Sequence, residues 1–509
     1  MGCLAQITGA LSIMKSELTT PMGQILGVQK SNHLEFLGIR YAKPPVGELR
    51  FSEPELVERW EGIYDATKYA AIAPQIWADD PPINMEESED CLFLNIYTPN
   101  ADDKKRPVLF YSHGGAFAIG SGSRGRLYGG HLCERGDVVV VTIQYRLGPL
   151  GFLYMDGVPA NLGLKDQICA LKWVKQNIAL FGGDPNNITI FGQSAGSIAV
   201  SYLLTMPDAK GLFHKAIAQS ATLPLESDSP EKAMRITKKF LSKLKIKIGD
   251  VDALRNLTWQ EIIAAQRKVG KDILSENHHA PVADGVSIPT NPLRALREGA
   301  SKDIPLIIGH TTDEFPIFRS FVNPQNFIIR SLAKRLISKR LVNMGIKKDE
   351  LKRVLQIYKE KSANPNIPNI EYDELATDLG FRLPSLLVAD AHSNGEAGTF
   401  FYEFAYKAPN IGVAMHVLDL FFVFGTLDTS DVTDGMRPSQ SEGEKSLSTS
   451  MMDAWVNFAR TGNPNHPNLP EWREYNKASR AIMILDVEPQ LKSNHLEDRI
   501  ELWKSLSLL

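Results

Sequence analysis

A serine between two glycines is the first candidate for chemistry. The motif GQSAG at 192–196 follows the β-branched segment ITIF at 188–191 and precedes a run with helical character. A strand that turns this sharply into a helix strains the serine backbone and leaves no room for a Cβ at either glycine. The turn raises the hydroxyl of Ser194 above the carboxyl edge of a sheet, at the positive end of a helix dipole. This context predicts a nucleophile for acyl transfer.

A glycine pair offers a second catalytic element. The motif HGGAF at 113–117 comes directly after the apolar segment PVLFYS at 107–112. The N–H groups of Gly114 and Gly115, with that of Ala195, could stabilise a tetrahedral oxyanion, each contributing about 3 kcal/mol to the lower barrier. A plain tight turn would have the same residues, but its position beside the serine motif favours an oxyanion hole.

The serine needs a base, which is normally a histidine held by a carboxylate. In a strand–turn–helix site of this kind the chain order is serine, acid, histidine. Four of the eleven histidines remain after the best acid candidate: His392, His416, His466 and His495. His416 lies about ten residues after a predicted strand at 399–405, in a loop that could reach Ser194. His466, in a polar turn, and His495, near the C-terminus, are predicted to be exposed and uninvolved.

Two adjacent carboxylates compete for the role of acid. Asp313 and Glu314 follow a predicted strand at 304–308 after a short polar turn. Neighbouring side chains point in different directions, so only one of them should face His416. Spacing does not choose between them, and either carboxylate could instead cap the next segment.

The elements that must position these residues alternate between strand and helix. Short apolar runs at 107–112, 137–145 and 188–191 are typical of strands buried on both faces of a parallel sheet. Between the last two, apolar residues recur at spacings of 4, 3, 3 and 4 from Leu164 to Ile178, as on one helix face. This order predicts a doubly wound α/β sheet.

Composition excludes several classes of protein. The 509 residues include 56 basic and 59 acidic side chains, a net charge of −3, with 43% hydrophobic residues. A chain of this length buries roughly three quarters of its surface without metals or disulfides, and near-neutral charge argues against nucleic acid as a partner. Four scattered cysteines favour a reducing, cytoplasmic setting. The charge-free run at 185–207 contains too many polar residues for a membrane span.

Two basic stretches interrupt the alternation. Residues 232–247 include seven basic and no acidic side chains, and apolar residues at helical spacing lie among them. This segment could be a helix on a lipid surface, a lid, or a solvated helix face. The stretch 330–361 could likewise be a helix on a lipid surface or a solvated helix face. Both are interpreted as parts of helical insertions, at about 225–280 and 320–395, in one domain that spans residues 1–509.

The chain closely resembles the type-B carboxylesterase family, which includes para-nitrobenzyl esterases, animal carboxylesterases and cholinesterases. The resemblance rests on FLGIRYAKPP at 36–45, EDCLFLNI at 89–96, the HGGAF loop, NLGLKDQ at 161–167, FGGDP at 181–185 and the GQSAG motif. It implies an α/β-hydrolase fold with a central, mostly parallel sheet, helices on both faces and helical cap insertions. It also implies a serine carboxylesterase.

The resemblance also implies roles for single residues. The family uses the second carboxylate of a DE pair, which is Glu314 here, and its histidine precedes a segment ending in FVFG, as His416 does. Ser220 matches a second serine that supports the triad, although a strand-end hydroxyl bonded to the backbone is an equally simple interpretation.

Departures from the family are informative too. The cysteine that matches Cys91 forms a disulfide in extracellular members, but its partner position is Ala73 here, so a free buried thiol is expected. Asp419 replaces a glutamate of the cholinesterases, and the tryptophan of their choline site is missing, so choline esters are not expected substrates.

The resulting hypothesis is a serine carboxylesterase that acts on esters of short to medium acyl chain through an acyl-enzyme on Ser194. No metal or organic cofactor is expected. The expected partner is a small-molecule ester, without nucleic acid or integral membrane association, and the protein should be a monomer or weak homo-oligomer. The alternatives are a non-catalytic cholinesterase-like binding module and a lipase acting on longer-chain lipids.

Overall fold

The protein is built around one large twisted sheet. The computed structural model describes residues 15–76, 85–220, 229–270, 278–315, 338, 342, 347–362, 370–430 and 438–505. Within these ranges thirteen strands form the sheet. They are β1 Lys15–Thr20, β2 Gly23–Gln29, β3 Leu34–Arg40, β4 Ile63–Asp65, β5 Phe93–Thr98, β6 Arg106–Ser112, β7 Val139–Ile143, β8 Gly183–Gln193, β9 Lys215–Gln219, β10 Leu306–Thr311, β11 Thr399–Phe404, β12 Ile482–Leu485 and β13 Gln490–Lys492.

The centre of the sheet is parallel and its margins are antiparallel, except that β4 pairs parallel with β2. The spatial order is β1-β2-β3-β5-β7-β6-β8-β9-β10-β11-β12-β13, with β4 beside β2. All pairs from β7 to β12 are parallel, whereas β5 pairs antiparallel with β7 and β13 with β12. The central strands β7, β9, β10 and β11 are buried along their whole length, as expected for strands covered on both faces.

Helices cover both faces of the sheet. Fourteen α-helices lie in the described part of the chain: α1 Gly130–Gly136, α2 Gly148–Phe152, α3 Leu162–Asn177, α4 Ala195–Leu203, α5 Pro230–Leu244, α6 Val251–Arg255, α7 Trp259–Val269, α8 Pro292–Arg297, α9 Lys348–Lys361, α10 Ile370–Thr377, α11 Leu383–His392, α12 Leu418–Val423, α13 Glu442–Thr461 and α14 Glu497–Ser505. Two large apolar clusters include alternate residues of the central strands, for example Phe110 in one and Leu109 in the other. The alternation follows from the two-residue period of a strand.

The predicted α/β-hydrolase architecture is confirmed, with shifts at element ends. The strand predicted at 304–308 is Leu306–Thr311, and the one predicted at 188–191 extends back to Gly183, where it pairs with Arg106 of β6. The charge-free run 185–207 contains β8 and α4. No helix in the described ranges is both long and apolar enough to cross a membrane.

The first predicted insertion contains three of these helices. α5 and α7 pack together, and their apolar faces share a cluster with Leu150 and Met155 near α2. α5 begins at the N-cap Ser229, whose side chain accepts from the N–H of Lys232, and ends where Lys245 adopts a left-handed conformation. Of the second basic stretch, most residues from 330 to 346 lie outside the described residues, and the remainder includes α9.

The described cysteines are free thiols. Cys91, Cys133 and Cys169 are all buried and form no disulfide, which agrees with the expectation for Cys91. Cys91 and Pro74 line the same small cavity. Cys3 lies outside the described residues.

Candidate active site

The sequence-predicted site residues meet at one edge of the sheet. Parallel strands end at a common edge, and ligand sites of α/β sheets lie outside the carboxyl ends of their strands. β6 leads to the HGGAF loop, β8 to Ser194 and β9 to Ser220, while the neighbouring strands β10 and β11 precede Glu314 and His416. Neighbouring strands therefore bring together residues that are up to three hundred positions apart.

Ser194 occupies a strained turn between β8 and α4. Its φ of 58° and ψ of −124° are unfavourable for a residue with a Cβ. The turn has no space for larger neighbours: a Cβ on Gly196 would lie 2.0 Å from the carbonyl oxygen of Ser112, and one on Gly192 would lie 2.5 Å from Gly196. The N–H of Ser194 donates to the carbonyl of Gln219 at 3.0 Å, which fixes the turn to β9.

The glycine pair of the HGGAF loop lies against this turn. A Cβ on Gly114 would come within 2.6 Å of the Gln193 carbonyl oxygen and 3.1 Å of the Ser194 Cβ. Gly115 has a φ of +117°, and a Cβ there would lie 2.1 Å from the carbonyl oxygen of Ile119. In the described part of the chain, no hydrogen bond uses the N–H of Gly114, Gly115 or Ala195. Three backbone donors are thus available next to the serine.

His113 supports the glycine pair. Its ring stacks on Tyr145 with centroids 4.4 Å apart, and Nδ1 donates to the carbonyl of Gly114 at 2.8 Å. The hydroxyl of Tyr145 donates to the His113 carbonyl at 2.7 Å. Burial lowers the pKa of His113 to about 4, so the ring is neutral at ordinary pH. Its role is to hold the loop.

His416 and Glu314 form a buried pair. His416 Nδ1 donates to Glu314 Oε2 at 2.5 Å, and the N–H of Thr311 donates to Glu314 Oε1 at 2.8 Å. Burial by itself would raise the pKa of Glu314. The adjacent His416 and the hydrogen bonds to the carboxylate outweigh burial, so the pKa lies below its ordinary value. The carboxylate holds the proton of the imidazole on Nδ1 and leaves Nε2 able to accept one.

Asp313 points elsewhere. Its Oδ2 accepts from the N–H of Ala414 at 3.0 Å, and its own N–H donates to the Ala414 carbonyl. The structure therefore brings the second carboxylate of the pair, not the first, to His416. Asp313 instead ties the turn after β10 to the segment that carries the histidine.

The other late histidines lie outside this cluster. His392 Nδ1 bonds to the Thr399 hydroxyl, and His466 Nε2 bonds to the carbonyl of Ser450. His495 Nε2 lies 3.6 Å from Glu403. The expectation of solvent exposure is wrong for His466, which is half-buried, and is confirmed for His495, which is exposed.

Two further side chains touch the imidazole, and neither contact is predicted from the sequence. Gln193 Nε2 lies 3.1 Å from Nε2 and 3.3 Å from Nδ1 of His416. A nitrogen this close to both ring nitrogens lies over the ring face, since Cε1 occupies the space between them in the plane. Phe381 packs on the ring with centroids 4.9 Å apart. It belongs to a single π-helical turn, Asp378–Arg382, a feature common at functional sites.

Ser220 lies at the end of β9 beside the acid. Its backbone φ of 54° is strained, and its N–H donates to the carbonyl of Gly309. The hydroxyl is buried and forms no hydrogen bond of normal geometry with the described residues. It is close enough to Glu314 to contribute to the lowered pKa of that carboxyl. The alternative of a hydroxyl bonded to the backbone is therefore not what the structure shows.

Asp419 is a second buried carboxyl behind the site. Its Oδ2 accepts from Gln219 Nε2 at 2.8 Å and from the Tyr402 hydroxyl at 3.0 Å. Burial is the main cause that raises its pKa to about 6, and the negative charge of Glu314 adds to the effect. The sequence marked this position only as a departure from the cholinesterases.

No group of three or more His, Cys, Asp or Glu side chains within the described ranges is placed to hold a metal ion. The chemistry available from the described side chains is that of a serine, an imidazole and a carboxylate. With backbone donors beside the serine, such a set can perform nucleophilic acyl transfer.

Comparison with known proteins gives a consistent result. The sequence model of the carboxylesterase family matches residues 14–503. The para-nitrobenzyl esterase of Bacillus subtilis is 37% identical over 499 residues, covering 94% of this chain and 96% of that protein. Bovine carboxylesterase 4A is 34% identical, with 98% and 96% covered. A crystal structure of a Geobacillus stearothermophilus carboxylesterase superposes with a TM-score of 0.85 at 36% identity, over 96% of this chain and 99% of that one.

Proposed function

The chain belongs to the carboxylesterase family and is a serine carboxylesterase, and we propose that it acts through an acyl-enzyme formed on Ser194. The observation that carries the residue assignment is the buried hydrogen bond between His416 Nδ1 and Glu314, at the sheet edge where the strained Ser194 turn lies.

Acylation begins with attack of Ser194 Oγ on the ester carbonyl carbon. The serine proton passes to His416 Nε2, because Nδ1 already donates its proton to Glu314. Glu314 remains ionised and stabilises the imidazolium that forms. The carbonyl oxygen becomes an oxyanion that accepts hydrogen bonds from the N–H groups of Gly114, Gly115 and Ala195.

Collapse of the tetrahedral intermediate expels the alcohol. The C–O bond to the leaving group breaks, and the leaving oxygen takes the proton from His416. Water then attacks the acyl-enzyme with His416 again as the base, and the carboxylic acid leaves with Ser194 restored. Ser220 supports Glu314 from behind. The reaction as proposed uses no metal and no organic cofactor.

The proposal extends to substrate and setting. The Bacillus relative is named for para-nitrobenzyl esters, in keeping with small esters as substrates, and we propose acyl chains of short to medium length. The free thiols of Cys91, Cys133 and Cys169 support a reducing, cytoplasmic setting. We take the protein to be one domain with cap insertions, a monomer or weak homo-oligomer, with no nucleic-acid partner.

A panel of p-nitrophenyl esters from acetyl to long acyl chains tests the assignment. We expect hydrolysis by the wild type and a loss of at least about a thousandfold in kcat for Ser194→Ala. Ser201→Ala is the matched control, because Ser201 lies on α4, which begins directly after Ser194, and its buried hydroxyl has no partner among the described residues. Equal activity of Ser194→Ala and Ser201→Ala would overturn the assignment.

A further inference from the structure

The helix α5 and the turn after it form a strongly basic segment that the proposed reaction does not use. Residues 232–247 carry seven basic side chains and no acidic one. The remaining chain has 49 basic and 59 acidic residues, a net charge of −10. Positive charge is thus concentrated on one short element of an otherwise acidic protein.

Packing fixes which side of α5 faces solvent. Ile236, Phe240 and Leu241 are buried in the cluster shared with α7. Arg235, Lys238 and the side chains near them are exposed on the opposite side. The exposed side carries the basic residues Arg235, Lys238, Lys239 and Lys243, and Lys245 and Lys247 follow in the turn. We call these six residues the basic face.

The charges of the basic face are largely unbalanced. Among the described residues, no carboxylate lies within ion-pair distance of Arg235, Lys238, Lys243, Lys245 or Lys247. Helix α9 is different, because its sequence includes Asp349, Glu350 and Glu360 among the lysines, and Lys361 pairs with Asp498 at 3.4 Å. A solvated helix usually mixes charges as α9 does.

An exposed apolar side chain adjoins the basic face. Ile248 follows Lys247 directly and is 47% exposed. The segment therefore presents cationic groups and one large aliphatic group to the same solvent region. A soluble polyanion would use only the charges, whereas an anionic bilayer offers both negative headgroups and an apolar layer for the isoleucine.

The basic face is one helix away from the candidate oxyanion hole. α5 packs on α7, and Ile263 of α7 packs against Ala118 and Ile119, which directly follow the HGGAF loop. A surface that binds α5 is therefore held close to the part of the molecule that contains the active site.

We propose that the basic face docks the protein on an anionic lipid bilayer, with Ile248 entering the headgroup region. Because the apolar side of α5 is buried in the protein, the helix does not insert, and attraction to anionic lipid supplies most of the binding. Each basic residue near such a surface strengthens binding roughly fivefold, and salt screens the attraction.

Vesicle co-sedimentation of the full chain tests this proposal. Wild type should bind phosphatidylcholine vesicles that contain phosphatidylglycerol, and not pure phosphatidylcholine vesicles. The variant Arg235→Gln/Lys238→Gln/Lys243→Gln should lose roughly a hundredfold in partition coefficient. Lys352→Gln/Arg353→Gln/Lys359→Gln on α9 removes the same charge from exposed positions and should retain binding.

Further readouts keep the test independent of folding and of the catalytic assignment. Both triple variants should hydrolyse a soluble p-nitrophenyl ester like the wild type. Ile248→Ser should weaken vesicle binding severalfold without changing its salt dependence. Equal binding to both kinds of vesicle, equal losses in the two triple variants, or binding of inositol hexakisphosphate without vesicle binding would overturn the proposal.

Discussion

Gln219 links Asp419 to the backbone of Ser194. Its side-chain amide donates to Asp419 Oδ2 at 2.8 Å, while its backbone carbonyl accepts from the N–H of Ser194 at 3.0 Å. The second buried carboxyl is thereby coupled to the turn that holds the nucleophile.

The ionisation of Asp419 should make the free energy of unfolding depend on pH. Its folded pKa of about 6 lies above the ordinary value of 3.8. The folded state therefore holds this proton more tightly than the unfolded state, and stability falls as pH rises from about 4 to about 6. The loss from this group is on the order of 3 kcal/mol. Asp419→Asn cannot ionise at this position, so its free energy of unfolding should fall less over the same pH range.

Denaturant unfolding at pH 4.5 and pH 7.5 measures this difference. Asp252→Asn is the control, since it makes the same substitution at an aspartate whose side chain is largely exposed. If Asp419→Asn and the wild type lose the same free energy of unfolding between pH 4.5 and pH 7.5, the raised pKa of Asp419 is contradicted.

The adjacent carboxylates should differ sharply in their effect on kcat. Glu314→Gln removes the charge that orients His416 and stabilises its imidazolium, so kcat should fall about 10³- to 10⁴-fold with a small change in KM. Asp313→Asn keeps an oxygen to accept from the N–H of Ala414 and should lose less than roughly tenfold. Steady-state kinetics on p-nitrophenyl acetate distinguishes the two variants. A larger loss of kcat in Asp313→Asn than in Glu314→Gln would identify Asp313 as the catalytic acid.

Adding a methyl group to the glycine pair should impair the oxyanion hole. In Gly114→Ala the new Cβ would meet the Gln193 carbonyl, and in Gly115→Ala it would meet the Ile119 carbonyl in a backbone region that alanine avoids. Each shift displaces an N–H donor, so kcat should drop by at least about a hundredfold.

Gly380→Ala is the matched control for these variants. A Cβ there meets nothing within 4 Å, and the residue lies in a helical turn, so activity and stability should be preserved. Circular dichroism and thermal unfolding test whether the loop variants remain folded. Normal kcat in a folded Gly114→Ala enzyme would exclude this loop as an oxyanion hole.

Ser220 should act through the ionised acid. Its hydroxyl helps to lower the pKa of Glu314, so Ser220→Ala should reduce kcat by roughly tenfold and move the acidic limb of the pH–kcat profile to higher pH. Ser201→Ala removes another buried hydroxyl and should change neither kcat nor the acidic limb of the pH–kcat profile. A purely structural role for Ser220 would lower stability and leave the pH profile in place.

Much of the site was predictable because its signals are local. The strand, the tight turn and the helix around Ser194 are adjacent in sequence. The glycines at 114, 115, 192 and 196 occupy positions where a Cβ would clash with a neighbouring atom. Chain order then restricted the base to four histidines. These features depend on short-range sterics, so residue types and spacing suffice to identify them.

The tertiary structure decided which side chains meet. Spacing could not choose between Asp313 and Glu314, because the choice depends on the backbone bridge between Asp313 and Met415, two segments a hundred residues apart. The contacts of Gln193 and Phe381 with His416, and of Asp419 with Gln219, likewise join distant elements. Sequence by itself determined the local geometry and the reaction class. The orientation of the acid and the surroundings of the base required the packed sheet, because they arise from contacts between strands and helices that sequence spacing does not encode.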